Sequence, residues 1–153
     1  MIELTENDLR VAAHVAFDRG LPSLLAGSRN VNGGMADPFL RHVIGAIGEC
    51  AFAKYMDIYW DGSVGRFRGM GNDVGAFQVR ARSGRLPLII RPNDKAEDMF
   101  VLVCMAGSMT KWEVMGWIGG AEGKRVGTLT NMQGGARYQV EISQLHQIEG
   151  IAA

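Results

Sequence analysis

The sequence has no excess of either charge, because sixteen Lys and Arg residues are balanced by sixteen Asp and Glu residues. This balance excludes a protein that is held to nucleic acid or to a membrane by its overall charge, but it leaves a local patch open. Cysteine is also scarce. Cys50 and Cys104 lie in apolar stretches without CxxC spacing, which is typical of small buried side chains in a reducing compartment.

Long hydrophobic runs are missing as well, since no apolar stretch approaches the roughly eighteen residues that span a bilayer. Residues 1–6 are acidic and lack the basic and apolar regions of a signal peptide. We therefore expect a soluble protein of the cytoplasm with no membrane partner. Because 47% of the 153 residues are hydrophobic and 21% are charged, residues 1–153 are predicted to form a single domain with a proper core.

Helical patterns occupy the N-terminal part of the chain. Thr5 is a hydroxyl N-cap with a carboxylate three residues on, and Gly20 followed by Pro22 predicts the end of this first helix. A second helix is predicted to begin at Asp37-Pro38. It is apolar nearly all round, so we expect it to be buried, and its small residues would let it lie close against a sheet.

The rest of the chain is predicted to be mainly β-structure. Apolar or alternating runs between turn residues indicate strands at residues 64–68, 76–82, 86–90, 99–105, 112–118 and 138–142. Glycine clusters predict loops at 27–36 and at 119–136, the latter with one helical turn, and Ser143 is expected to cap a brief terminal helix. Two helices followed by strands predict an α+β or mixed α/β domain.

Glu49 is the only charged side chain between Val43 and Ala53 in the second helix. A carboxylate that is taken out of water costs several kcal/mol unless a partner, a set of donors or a metal compensates it. Glu49 is therefore a candidate functional residue. The alternative is that it lies at the edge of the helix or pairs with an arginine.

Asp73 lies in a turn that leads directly into a predicted strand, on which Gln78 and Arg80 point to the same face. An aspartate just before such a strand could share a pocket with those two side chains. The alternative is a turn aspartate followed by an ordinary solvated strand face.

Arginine is concentrated between residues 66 and 91, where six arginines face one acid and no lysine, for a net charge of +5. These residues are Arg66, Arg68, Arg80, Arg82, Arg85 and Arg91. Because guanidinium groups match phosphates, the segment favours contact with a nucleic-acid backbone. The alternative is a solvated face that is balanced by acids elsewhere, such as Asp94, Glu97 and Asp98.

The helix sequence GAIGECAFAKY at 45–55, followed by Asp73 and then by Gln78-x-Arg80, resembles the PD-(D/E)XK nuclease superfamily. The resemblance covers roughly residues 40–120. It is closest to small phage-encoded members that end in strands like FVLV at 100–103 and WEVMGWI at 112–118. It implies a restriction-endonuclease-like core, with a mixed sheet of about four or five strands flanked by helices.

The resemblance also implies a Mg²⁺ site, in which Glu49 and Asp73 hold the ion. The superfamily's Glu-x-Lys motif is replaced here by Gln78-x-Arg80. Gln78 would be a weaker ligand than a carboxylate, so Mg²⁺ would be weakly bound, or not bound at all if the site has lapsed. Arg80 can stabilise developing negative charge but cannot act as a general base, because arginine stays protonated.

Two functions follow from this resemblance. The first is a Mg²⁺-dependent DNA phosphodiester hydrolase, in which Arg66, Arg68, Arg82 and Arg85 contact phosphates. The second is a catalytically inactive nuclease fold that binds nucleic acid or has a structural or packaging role in a phage. In either case DNA is the expected partner and the cytoplasm of the host cell the expected location. A homodimer remains open, since superfamily members are often dimeric.

Overall fold

The computed structural model describes residues 1–26, 38–62, 71–132 and 135–148. Their strands and helices follow one another as β1 (Ile2–Glu3), α1 (Glu6–Leu25), α2 (Pro38–Met56), β2 (Phe77–Arg82), β3 (Leu88–Ile90), β4 (Met99–Met105), β5 (Lys111–Gly119), α3 (Gly120–Val126), β6 (Thr128–Met132), β7 (Gly135–Val140) and a 3-10 turn (Ile142–Gln144). The mixed α and β content confirms the predicted fold class.

The strands form two sheets. The first has the order β1-β5-β4-β2, with β2 and β4 parallel and the other neighbours antiparallel, so it is the mixed sheet that the sequence predicts. The second is antiparallel, in the order β3-β7-β6. Within the described residues β2 is an edge strand of the first sheet. Because no described strand covers the outer edge of β2, side chains from its two faces can approach each other around that edge.

Strand β4 lies between two hydrophobic cores, because its side chains alternate between the faces of the sheet. Val101 and Val103 pack with helix α2 in the first core. Phe100 and Leu102 pack with strands β3 and β7 in the second.

Helix α2 lies directly on strand β2. A methyl group added at Gly48 would collide with the Cβ of Ala81, so glycine is what permits this close approach. The expectation that small residues would let the helix lie against a sheet is confirmed. The same contact sets Glu49 beside the edge strand.

Helix α1 begins as the sequence predicts but does not end where it predicts. Thr5 accepts from the Asp8 amide, and the Asp8 carboxylate accepts from the Thr5 amide. The helix continues through Gly20 and Pro22 to Leu25. Pro22 lies near the end of the helix, where it removes one hydrogen bond of the last turns, while Gly20 packs against α2.

Residues 119–136 are not mainly loop, and this prediction was wrong. They contain helix α3 and strand β6. Two of the glycines that suggested a loop are sites of close packing, since a methyl group would collide with the Lys95 carbonyl at Gly120 and with Ile90 at Gly123.

The last predicted elements are also shifted. Strand β7 begins earlier than expected, at Gly135, and the 3-10 turn that follows is capped by Glu141 rather than by Ser143. The loop predicted at 27–36 and the strand predicted at 64–68 lie outside the described residues. None of the helices that the structure describes is both long enough and apolar enough to cross a membrane.

Candidate functional site

Glu49 is held by a bidentate ion pair with Arg19 of helix α1. Arg19 Nη1 lies 2.7 Å from Glu49 Oε1, and Nη2 lies 2.8 Å from Oε2. Trp60 Nε1 also donates to Oε2, at 3.2 Å. Burial alone would lower the pKa of Arg19, but the hydrogen bonds and the charge of Glu49 raise it. Glu49 is therefore buried and paired with an arginine, which is the alternative that the sequence analysis set against a functional role.

Asp73 is folded back onto the edge strand by a tight turn. Its amide and that of Val74 both donate to the Phe77 carbonyl, and Gly75 takes a φ of 55° that glycine adopts without strain. The side chain of Asp73 then accepts from the Val79 amide through Oδ2, at 2.8 Å. The turn thus fixes the carboxylate beside β2.

The pKa of Asp73 responds to the charge of Glu49. Burial and then the negative charge of Glu49 raise the pKa of Asp73 to about 6. The Val79 amide and the charges of Arg80 and Arg19 act in the opposite direction. The structure therefore brings Glu49, Asp73 and Arg80 into one electrostatic environment.

Arg80 lies on the other face of β2 from helix α2. Its Nη2 is 2.9 Å from Asp94 Oδ2, its Nε donates to the Ile89 carbonyl at 3.4 Å, and its guanidinium carbon lies 4.8 Å from the centre of the Phe100 ring. Three contacts hold the guanidinium in place, so Arg80 is an anchored residue of this edge.

Gln78 does not join the carboxylate pair. Its amide nitrogen donates to the Gly71 carbonyl at 3.3 Å and to Asn72 Oδ1 at 3.4 Å. Within the described chain, no hydrogen bond connects Gln78 to Glu49 or to Asp73.

The Mg²⁺ site that the resemblance implies does not fit these side chains as they are arranged. Each oxygen of Glu49 is already bonded to the Arg19 guanidinium, and Gln78 turns toward the loop. Among the described residues there is no group of three His, Cys, Asp or Glu side chains that could hold an ion. We derive no catalytic step through a metal.

The charges of three arginines from other parts of the chain act on Arg91, and we call these four residues the arginine cluster: Arg41, Arg80, Arg91 and Arg137. Arg91 directly follows β3, and the antiparallel pairing of Ile90 with Tyr138 places it next to Arg137. Partial burial and then the charge of Arg80 lower the pKa of Arg91, and Arg137 and Arg41 add to this effect. Arg91 is therefore the residue on which the other three charges act.

Asp94 is the acid that counteracts this cluster. Its carboxylate pairs with Arg80 and accepts from the Arg91 amide at 2.8 Å, and it raises the pKa of Arg91. A further cation lies on the same turn, since Lys124 Nζ donates to the Pro92 carbonyl at 2.9 Å.

The other arginines predicted to contact phosphates fall into three groups. Arg82 neighbours Arg137, and burial lowers its pKa; its buried Nε has no hydrogen-bond partner in the described chain. Arg85 forms an ion pair with Glu113 at 3.1 Å, apart from the cluster. Arg66 and Arg68 lie outside the described residues.

The sequence analysis missed Arg19, Arg41 and Arg137. One signal could have revealed Arg41, because Arg41, Gly45 and Glu49 are spaced four apart and share one side of α2. A methyl group at Gly45 would have no atom of the described chain within 4 Å. Arg41 and Glu49 thus flank an open position on the helix.

No protein-family model, curated protein or solved structure is similar enough to this chain to count as a match. The resemblance to the PD-(D/E)XK superfamily therefore depends on the residues of this sequence alone.

Proposed function

We propose that this chain is a phage-type, restriction-endonuclease-like protein that binds DNA. The arginine cluster would contact the phosphate backbone. The observation that carries the proposal is that Arg91 lies next to Arg137 across paired strands and is acted on by the charges of Arg80, Arg137 and Arg41. A chain with no net charge has concentrated positive charge at one place.

The physical argument is that like charges repel, so four neighbouring guanidinium groups are best satisfied when an anion lies between them. Arginine presents a planar fork of donors that matches phosphate oxygens. Asp94 forms its ion pair with Arg80. Arg41 and Arg91 are exposed, so a backbone phosphate can reach both of them.

The sugar-phosphate backbone of the DNA would run along the edge strand β2. Arg80 and Arg82 are two positions apart on β2 and therefore point to the same face of the strand. No further strand of the described chain covers this edge. Contacts of this kind set affinity and orientation rather than base preference.

The test is DNA binding by fluorescence anisotropy at low salt, with labelled duplex and single-stranded DNA. Arg91→Ala and Arg41→Ala should each weaken binding several-fold, because each removes one phosphate contact. Arg10→Ala is the matched control. This exposed arginine pairs with Glu6 on α1, and its loss should leave the affinity unchanged. No measurable affinity at low salt, or equal effects of all three variants, would contradict the proposal.

DNA hydrolysis is a second candidate function, and the proximity of Glu49 and Asp73 favours it. A buried carboxylate that helps to raise the pKa of a second, partly buried one to about 6 is typical of functional sites. The pair also lies beside Arg80, which could neutralise charge on a phosphate.

Hydrolysis is tested by incubating supercoiled, linear, single-stranded and branched DNA with Mg²⁺ or Mn²⁺. Nicking by the wild type that disappears in Asp73→Asn would support it. If no substrate is cleaved while DNA binding is retained, the protein is a binding protein only.

A further inference from the structure

Glu49 and Asp73, the carboxylate pair, already have a positively charged partner within the protein, which is Arg19. The Arg19 guanidinium bonds both oxygens of Glu49, at 2.7 and 2.8 Å. The side chain of Glu49 is 8% exposed and that of Arg19 is 21% exposed, so the pair is largely shielded from water. The charge of Arg19 also reaches Asp73, where it opposes the effect of Glu49.

The bonding capacity of Glu49 is nearly filled by these contacts. A carboxylate offers about four lone-pair positions, and Arg19 and Trp60 together take three of them. A divalent ion such as Mg²⁺ needs oxygen ligands at about 2.0–2.1 Å. It would compete with the guanidinium for the same oxygens and would be repelled by its charge.

We propose that Arg19 is a built-in counter-cation that closes the Glu49–Asp73 pair, and that a divalent cation binds there only when the guanidinium is removed. Arg19 then does what a metal ion would otherwise do, which is to compensate the buried carboxylate of Glu49 and the partly buried one of Asp73. This inference goes beyond the proposed function, because it holds whether or not the chain binds DNA.

The test is a titration with Mn²⁺ alone, followed by electron paramagnetic resonance of the free ion, in metal-free buffer at neutral pH. Wild type and Arg19→Lys, which keeps the positive charge, should bind Mn²⁺ weakly or not at all. Arg19→Ala should bind it at least about tenfold more tightly. Adding Asp73→Asn to Arg19→Ala should abolish that gain.

Thermal unfolding provides the second readout, and it remains informative if Arg19→Ala folds poorly. An ion that binds only the folded state stabilises it, so Mn²⁺ should raise the Tm of Arg19→Ala and of the near-isosteric Arg19→Gln, and not that of the wild type. Wild-type binding as tight as that of the variants would overturn the inference. So would variants whose affinity and Tm do not respond to Mn²⁺.

The DNA-binding proposal and the proposal for Arg19 can be refuted independently of each other. If the Mn²⁺ experiment gives the overturning result while Arg91→Ala still weakens DNA binding, only the role of Arg19 is refuted. If DNA binding is absent while Arg19→Ala gains Mn²⁺ affinity, the counter-cation stands and the DNA proposal falls.

Discussion

Asp73 is unusual at the scale of the single residue, because its carboxylate is partly buried and the charge of Glu49 acts on it. Burial and the charge of Glu49 raise its pKa to about 6, although the Val79 amide stabilises the charged form. An unfolded chain has no such neighbours, so there the residue ionises near its ordinary value of 3.8. Ionised Asp73 therefore lowers the stability of the folded protein.

Asp73→Asn should stabilise the protein at high pH only. The cost of the charged aspartate is fully present above about pH 6 and disappears as the pH falls toward 4, so the variant should gain roughly 2 kcal/mol at pH 8 and nothing at pH 4. Asparagine keeps an oxygen that can accept from Val79. Urea unfolding at pH 4, 6 and 8 measures this difference.

The matched control for that measurement is Asp18→Asn, at an exposed position on α1, which should leave the pH dependence as it is in the wild type. A loss of stability in Asp73→Asn at pH 8 would show that the charged form is favoured in the fold.

The sequence revealed the acids of the site more readily than their partners. A lone acid in an apolar helix and an aspartate at the start of a strand are local patterns, so Glu49 and Asp73 could be singled out. Arg19 lies thirty positions before Glu49 and looks like any arginine on a helix. Its role follows only from the packing of α1 against α2.

At the scale of elements, the contact between α2 and β2 positions the site. It depends on two small residues that face each other, Gly48 on the helix and Ala81 on the strand. Glu49 is the next residue on the helix. The distance between the two elements therefore also sets the distance between Glu49 and the edge strand.

Gly48→Ala should destabilise the protein by about 1–3 kcal/mol, because the added methyl group must push the helix away from Ala81. Gly45→Ala, one turn earlier on the same helix, meets open space. It should instead stabilise the protein by up to about 1 kcal/mol through the higher helix propensity of alanine. Thermal unfolding compares the two variants. If both variants shift the Tm in the same direction, the close approach of the helix to Ala81 does not limit the stability of the fold.

Elements with a clear apolar pattern could be predicted, even where they contain glycine, but the role of glycine in a mixed pattern could not. Helix α2 and strands β4 and β5 lie where their patterns predict them, although the pairing of β5 with β4 shifts register between Leu102 and Val103. Gly123 was interpreted as a loop residue, yet it is a glycine because Ile90 packs against it. The division into two sheets had no local signal, since β3 is as apolar as β4.

At the scale of the whole molecule, the absence of net charge concealed an uneven distribution. Six of the sixteen basic residues lie between residues 66 and 91, but the cluster that forms in space recruits Arg41 and Arg137 from far outside that segment. Linear charge counting could predict that a positive surface exists. It could not identify the arginines that build it.

A small cluster on a neutral protein should give a moderate dependence of DNA binding on salt. If the four arginines each neutralise one phosphate, the logarithm of the binding constant should fall with the logarithm of salt concentration with a slope of about −3 to −4. Anisotropy titrations across a range of NaCl concentrations measure it, and Arg91→Ala should reduce its magnitude by about one. A slope near zero would exclude backbone contact as the source of affinity.

The position of β4 between two cores has a consequence for how the protein unfolds. Val101 and Val103 belong to one core and Phe100 and Leu102 to the other, so this strand cannot be released from one side while the other stays packed. Opening of the helical layer and opening of the second sheet are thereby coupled into one cooperative event. The Arg19–Glu49 ion pair on the α2 side and the Arg80–Asp94 ion pair on the other face of β2 are then expected to be lost at the same temperature.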